Sequence, residues 1–195
     1  MDLKGKRVIL SSASPRRCEL LAGLDVKFEV DARNGFTESI DPDTPHEKVP
    51  EIMSVGKSRA FWRPLEKGEI LITADTMVLL DKFIMGKPHT RSEAVDMLQK
   101  LSGRTHEVIS AVTFRDCAHE QTVTDTTLVS FREITQEEID YYVDTCRPYD
   151  KAGAYGIQEW IGYAACTGIK GSFYNVMGFP VHKVYEELLK FIGYE

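Results

Sequence analysis

One acidic side chain sits in the middle of an apolar run. The segment from Ile70 to Leu80 reads Ile-Leu-Ile-Thr-Ala-Asp-Thr-Met-Val-Leu-Leu, and Asp75 interrupts it with apolar residues on both sides. Such a run reads as a buried strand, and it falls well short of the roughly 18 apolar residues of a membrane-spanning helix. A carboxylate inside an apolar strand is costly unless it is paired, hydrogen-bonded or bound to metal. Asp75 is therefore a candidate general base or metal ligand. The plainer structural alternative is an aspartate at a frayed strand end that caps a loop.

The rest of the chain alternates helical and strand signals. Arg7 to Leu10 reads as a short buried strand, and Ser14 followed by Pro15 is a helix start with a serine cap. Leu20, Leu21 and Leu24 give that helix its apolar face. Asp31 to Pro50 is polar and reads as a loop or lid, followed by a helix over Glu47 to Phe61. Asp81-Lys82 predicts a turn into Phe83-Ile84-Met85. Thr90 with Glu93 and Thr135 with Glu138 are capping-box patterns, opening helices that run to about Gly103 and through Val143. Glu107 to Arg115 and Thr122 to Arg132 read as paired strands. Cys146 to Pro180 is glycine-rich and irregular, and a last amphipathic helix runs from Val181 to Ile192. The fold class is α/β with a mixed sheet rather than a strict alternation.

With 195 residues and 43% hydrophobic content, the chain forms one domain over 1–195, with room for two lobes around a cleft. The formal charge of −6 argues against a sequence-independent nucleic-acid binder, which needs a basic face. A protein this acidic that handled an anionic substrate would have to concentrate its cations locally. Val8-Ile9-Leu10 is too short for a signal peptide, and no later run is long enough for a membrane span. The four cysteines form no CxxC pair, and His106-Glu107 lacks the second histidine of HExxH. A cytoplasmic protein with reduced thiols and no membrane partner is the expectation.

Three further constellations suit anionic ligands. Ser11-Ser12-Ala13-Ser14-Pro15-Arg16-Arg17 follows a strand and opens a helix, where unpaired N–H groups, small serines and two arginines favour phosphate. An ordinary capped helix with solvated arginines fits the same residues. Gly56-Lys57-Ser58 and Gly86-Lys87-Pro88 place lysines beside glycines; the first resembles the end of a P-loop but has Glu51 where the motif needs glycine. Solvated lysines are the plainer reading, unless they meet phosphate near Asp75. Asp150 to Gln158 is rich in small residues that let a ligand approach the backbone, and Gln158 carries both a donor and an acceptor for a base edge. A tight turn packed on the core is the alternative there.

Taken in order, Ser12 to Arg17, Ala74 to Val78, Gly86 to Pro88, Ser102-Gly103 with His106 and Val108, Asp150 to Gln158, and Gly171 with Tyr174 to Val176, Gly178 and Pro180 resemble the Maf family of nucleotide pyrophosphatases. The resemblance covers nearly the whole chain. It implies a mixed β-sheet with flanking helices and a central cleft, similar to the inosine triphosphatase fold. It implies hydrolysis of a nucleoside triphosphate to the monophosphate and pyrophosphate, with Mg²⁺ or Mn²⁺. Asp75 matches the family's catalytic aspartate, with proton acceptor and metal ligand both open to it. Lys57 and Lys87 match lysines of the family's active site and join Ser14 and Arg17 as the phosphate-binding candidates, and Glu38 best matches an acidic position that helps hold metal beside Asp75. Arg16, Thr76 and Gln158 match the positions associated with dTTP and UTP, whereas the branch acting on 7-methyl-GTP has tryptophan in place of Arg16. Family analogy also allows a homodimer.

Three positions depart from the family pattern. Thr37-Glu38 stands where Asp-Glu is usual, Cys146-Arg147-Pro148 where Gly-Glu-Pro is usual, and Glu159 where a glycine usually follows the Ile-Gln pair. Family members are also linked to arrest of septum formation. The alternatives are therefore a nucleotide-binding regulator of cell division and the same chemistry on 7-methyl-GTP.

Overall fold

The protein is described by a computed structural model covering residues 1–37 and 39–193. Strand β1 (Arg7–Leu10) is parallel to both β2 (Phe28–Val30) and β3 (Glu69–Leu80), pairing Val8 with Phe28 on one side and with Ile70 on the other. A parallel strand covered on both faces reads as a continuous apolar run, and after the exposed Arg7 the residues Val8, Ile9 and Leu10 are all buried. A two-residue turn with Asp81 in the left-handed conformation (φ 55°) folds β3 back onto antiparallel β4 (Phe83–Met85). Strands β5 (Thr105–Arg115), β6 (Glu120–Phe131) and β7 (Cys166–Lys170) complete the sheet, with β6 and β7 antiparallel. Among the described residues the strand order is β2-β1-β3-β5-β6-β7, with β4 on β3. The sheet is therefore mixed, as the sequence predicts.

Helices α1 (Pro15–Ala22), α2 (Val49–Arg59), α3 (Arg91–Leu101), α4 (Gln136–Cys146) and α7 (Val181–Ile192) match the expected segments. Their details correct several expectations. Helix α1 ends at Ala22, capped by Gly23, so Leu24 lies beyond it. Helix α2 begins at Val49, because His46–Lys48 forms a tighter 3-10 turn. Thr135 and Glu138 form a complete capping box, but at Thr90 only half of one forms: Glu93 reaches past Thr90 to the His89 N–H. The stretch expected to be irregular contains α5 (Trp160–Ala165), β7 and α6 (Phe173–Val176).

The chain divides into two compact units. The first comprises residues 1–75, 110–125 and 178–195, and the second residues 76–109 and 126–177. In the first, Ile9, Phe61 and Leu71 pack together with Leu65, and the Phe114 and Phe191 rings meet at a tilt. In the second, one continuous core includes Val78, Leu98, Phe131, Tyr142, Tyr155 and Ile161. Among the described residues no helix is long and apolar enough to cross a membrane.

Candidate active site

Strand β3 is buried along its length except at Asp75 and Thr76, which are half-open. What meets Asp75 is set by two hydroxyls. Ser54 on α2 donates to the Thr73 carbonyl at 3.1 Å, and Thr73 donates back to the Ser54 carbonyl at 2.8 Å. Ser54 also shares a 2.8 Å hydrogen bond with Thr113. The period of a strand puts Asp75 on the same face as Thr73. The period of a helix puts Lys57 on the same face as Ser54, one turn on. The clamp thus delivers Lys57 to Asp75: Nζ lies 2.6 Å from Oδ1, with the two side chains 21% and 20% exposed. Charges this shielded from water interact more strongly than a surface pair does.

Arg17 adds a second cation. Its Nε donates to the Gly178 carbonyl at 3.0 Å, and Nη1 donates to the Ala74 carbonyl at 2.9 Å and to Ser12 Oγ at 3.4 Å. Burial pushes its pKa down, the neighbouring Asp75 pushes it up, and Arg16 pushes it down again; a guanidinium stays charged under such shifts. Arg17 is therefore built into the frame behind Asp75, rather than waving in solvent. Arg16 is half-buried on the same turn.

Ser14 occupies the cap position of α1, but its hydroxyl makes no capping bond; instead its N–H donates to Ser12 Oγ at 3.3 Å. The sequence expectation of a serine-capped helix is corrected here. Without a side-chain cap, the first-turn N–H groups keep the character of an anion site. Ser11 Oγ, buried at the same strand-to-helix junction, has no hydrogen-bond partner.

The second unit holds the other predicted residues. Thr76 continues β3 there, and Lys87 is exposed between β4 and α3. The Gly153 N–H donates to the Gly86 carbonyl at 3.1 Å. Gly153 has φ 68°, and a Cβ on it would lie 3.2 Å from the Val78 side chain. The Asp150 to Gln158 segment is thereby tied to the loop that carries Lys87. Buried Lys151 pairs with Asp150 at 2.8 Å and with Glu159 at 2.9 Å. Gln158 is half-buried, and its Oε1 is shut off from water without a hydrogen-bond partner.

His106 is not part of this set: it is buried, its Nε2 is 2.7 Å from the Tyr155 hydroxyl, and burial holds its pKa down to about 4. Glu38 lies outside the described residues. Among the described residues no group of three His, Cys, Asp or Glu converges to hold a metal. The four cysteines are free thiols.

Sequence reasoning missed Ser54 and Thr73, whose hydroxyls place the ion pair. Ser54 stands one helical turn before Lys57, which marks it as facing the same way, but nothing in the sequence connects it to Thr73. It also missed the contacts of Tyr142 and Lys151 with Glu159.

The chain matches the family model described as Maf-like protein over residues 7–191. It is 47% identical over 192 residues to a protein of Porphyromonas gingivalis named dTTP/UTP pyrophosphatase, covering 97% of this chain and 96% of that one. Proteins of the same name from Bacteroides thetaiotaomicron and Christiangramia forsetii are 46% and 40% identical, over 97% and 98% of this chain. Among solved structures, a HAM1 protein from Coxiella burnetii aligns with a TM-score of 0.49 at 13% identity, over 95% of this chain and 99% of that one. By the span of the family model and the identity to these relatives, the chain belongs to the Maf-like protein family.

Proposed function

We propose that this protein is a nucleoside triphosphate pyrophosphatase that hydrolyses dTTP and UTP to the monophosphate and pyrophosphate. The observation that carries the reading is the Lys57–Asp75 contact at the one break in the burial of β3. A carboxylate kept in place by an ammonium is poised for exchange. A triphosphate, with about four negative charges, competes for the ammonium and leaves the carboxylate to serve the reaction. Asp75 then takes a proton from the attacking water, the water oxygen bonds to the α-phosphorus, and the bond from that phosphorus to the pyrophosphate oxygen breaks. Lys57, Arg17 and the N-terminus of α1 with Ser14 balance the charge that builds on the phosphates, and Lys87, in the second unit, is assigned a phosphate role from its family match alone.

Base choice is assigned to Arg16, Thr76 and Gln158. Uracil and thymine present one N–H donor between two carbonyls, whereas cytosine presents an acceptor at the same ring position. The Gln158 amide carries both the donor and the acceptor that pairing with a uracil or thymine edge requires.

A divalent cation fits the donor set in one form. Mg²⁺ is commonly held by one or two carboxylates plus substrate phosphates and waters, not by an all-protein cage. Asp75 supplies such a carboxylate, and Glu38 is the second candidate. When bound, the cation would neutralise phosphate charge. The proposed compartment is the cytoplasm.

The test is a panel of dTTP, UTP, CTP, ATP, GTP and 7-methyl-GTP with Mg²⁺ or Mn²⁺, following pyrophosphate and orthophosphate. Fastest pyrophosphate release from dTTP and UTP is expected. Release of orthophosphate, or of nothing, would refute the reading.

A further inference from the structure

Gln158 occupies the third position of a four-residue turn. The Glu159 N–H donates to the Gly156 carbonyl at 3.0 Å and closes the turn Gly156-Ile157-Gln158-Glu159. Buried Ile157 anchors its second position in the core. The Glu159 side chain then grips the same turn from outside. One carboxylate oxygen accepts from the Tyr142 hydroxyl and the other from Lys151 Nζ at 2.9 Å. The Tyr142 hydroxyl in turn accepts the Gly156 N–H at 3.0 Å, and burial with the adjacent carboxylate holds the phenol in its neutral form. The carboxylate lies hard against the turn: a Cβ on Gly156 would stand 2.8 Å from Glu159 Cδ and 3.0 Å from Lys151 Cε. Backbone and side chain of one residue therefore fasten both ends of the segment that carries Gln158, and α4 supplies the fixed point through Tyr142.

We infer that Glu159 is a positioning residue for base selection, holding the Gly156–Glu159 turn so that Gln158 meets the base edge in a single register. The inference rests on the assignment of Gln158 to base reading. Partly buried ion pairs are weak sources of stability because desolvation offsets the attraction. Lys151 also retains Asp150 as a second anion. Loss of Glu159 is therefore read first in selectivity.

The experiment compares kcat/KM for UTP and CTP in the whole protein and in Glu159→Ala, Glu159→Gln, Tyr142→Phe, Gln158→Ala and the Glu159→Ala/Gln158→Ala double variant, each with its melting temperature. Glu159→Ala should lower the UTP-over-CTP ratio by about tenfold or more, raising KM for UTP more than it lowers kcat. Glu159→Gln, which still accepts from Tyr142, should recover most of the ratio. Tyr142→Phe should shift it in the same direction as Glu159→Ala, and it keeps the test open if Glu159→Ala does not fold. The double variant should lose no more selectivity than Gln158→Ala alone, because one residue acts through the other. A wild-type ratio in Glu159→Ala alongside a collapsed ratio in Gln158→Ala overturns the inference, as does an additive double variant. An unchanged ratio in Gln158→Ala removes the base-reading assignment itself, and the inference falls with it.

Discussion

Lys57 Nζ and Asp75 Oδ1 lie 2.6 Å apart, although the residues are separated by a helix end, a loop and half a strand. Their mutual attraction acts only once α2 lies against β3. The reciprocal hydrogen bonds of Ser54 and Thr73 lock α2 to β3 in the one register that brings them together.

Replacing Asp75 by Asn keeps the shape and removes the proton acceptor. Turnover of UTP should fall by about 10² to 10⁴-fold, with an unchanged circular dichroism spectrum. Lys57→Met removes a charge aimed at the phosphates and should cost about 10² to 10³-fold. Full activity in Asp75→Asn would remove that residue from the chemistry.

Ser54→Ala tests the clamp. It deletes the donor to Thr73 and the contact with Thr113, leaving the Thr73 hydroxyl bonded to the Ser54 backbone carbonyl. Stability should fall by about 1 to 3 kcal/mol for the buried groups left unpaired. Activity should fall as well, though Ser54 is fully buried. Chemical denaturation and kcat on one preparation separate the two effects; stability lost with kcat intact would show that the clamp does not set the ion pair.

The longer helices and most strands were legible in the sequence, although β5 and β6 each begin two residues before the expected start and β2 gave no signal. Arg7–Leu10 and Val181–Ile192 announce themselves by an apolar run and by an amphipathic period closed by Gly193, whose φ of 84° fits a left-handed cap. The region from Cys146 to Pro180 was not legible, because its elements are short and owe their form to partners far along the chain. Asn175 on α6 donates to the Val108 carbonyl and to Thr127, and Ser172 and Thr127 hydrogen-bond one another. No local pattern encodes such bonds. The site divides the same way: Asp75 stood out as a charge in an apolar strand, whereas its hydroxyl clamp and the Tyr142–Glu159–Lys151 contacts depend on residues distant in sequence.

His106 makes stability depend on pH. Burial holds its pKa at about 4, below the ordinary value of 6.5. The unfolded chain therefore takes up a proton where the folded one does not. The contribution is complete above about pH 6.5 and is lost as pH falls toward about 4. Between about pH 7 and about pH 5 the loss should be about 2 kcal/mol. Urea denaturation at both pH values should show it, and His106→Gln should reduce it. Equal pH dependence in the two proteins would contradict the assignment.

Gly162 has no room for a side chain: a Cβ there would sit 1.7 Å from the Ile157 carbonyl oxygen. The clash is with backbone immediately before Gln158. Gly162→Ala should therefore cost about 3 kcal/mol or more, read as a fall in melting temperature, and any folded fraction should discriminate bases poorly. A wild-type melting temperature would show that this close approach is not required.

The central claim is that water attacks the α-phosphorus beside Asp75. Hydrolysis of UTP in isotopically labelled water, with mass spectrometry of both products, tests it most directly. The account predicts the label in UMP and none in pyrophosphate. Label in the pyrophosphate would place the attack on the β-phosphorus and contradict the assignment of Asp75, Lys57 and Arg17 to the chemistry at the α-position.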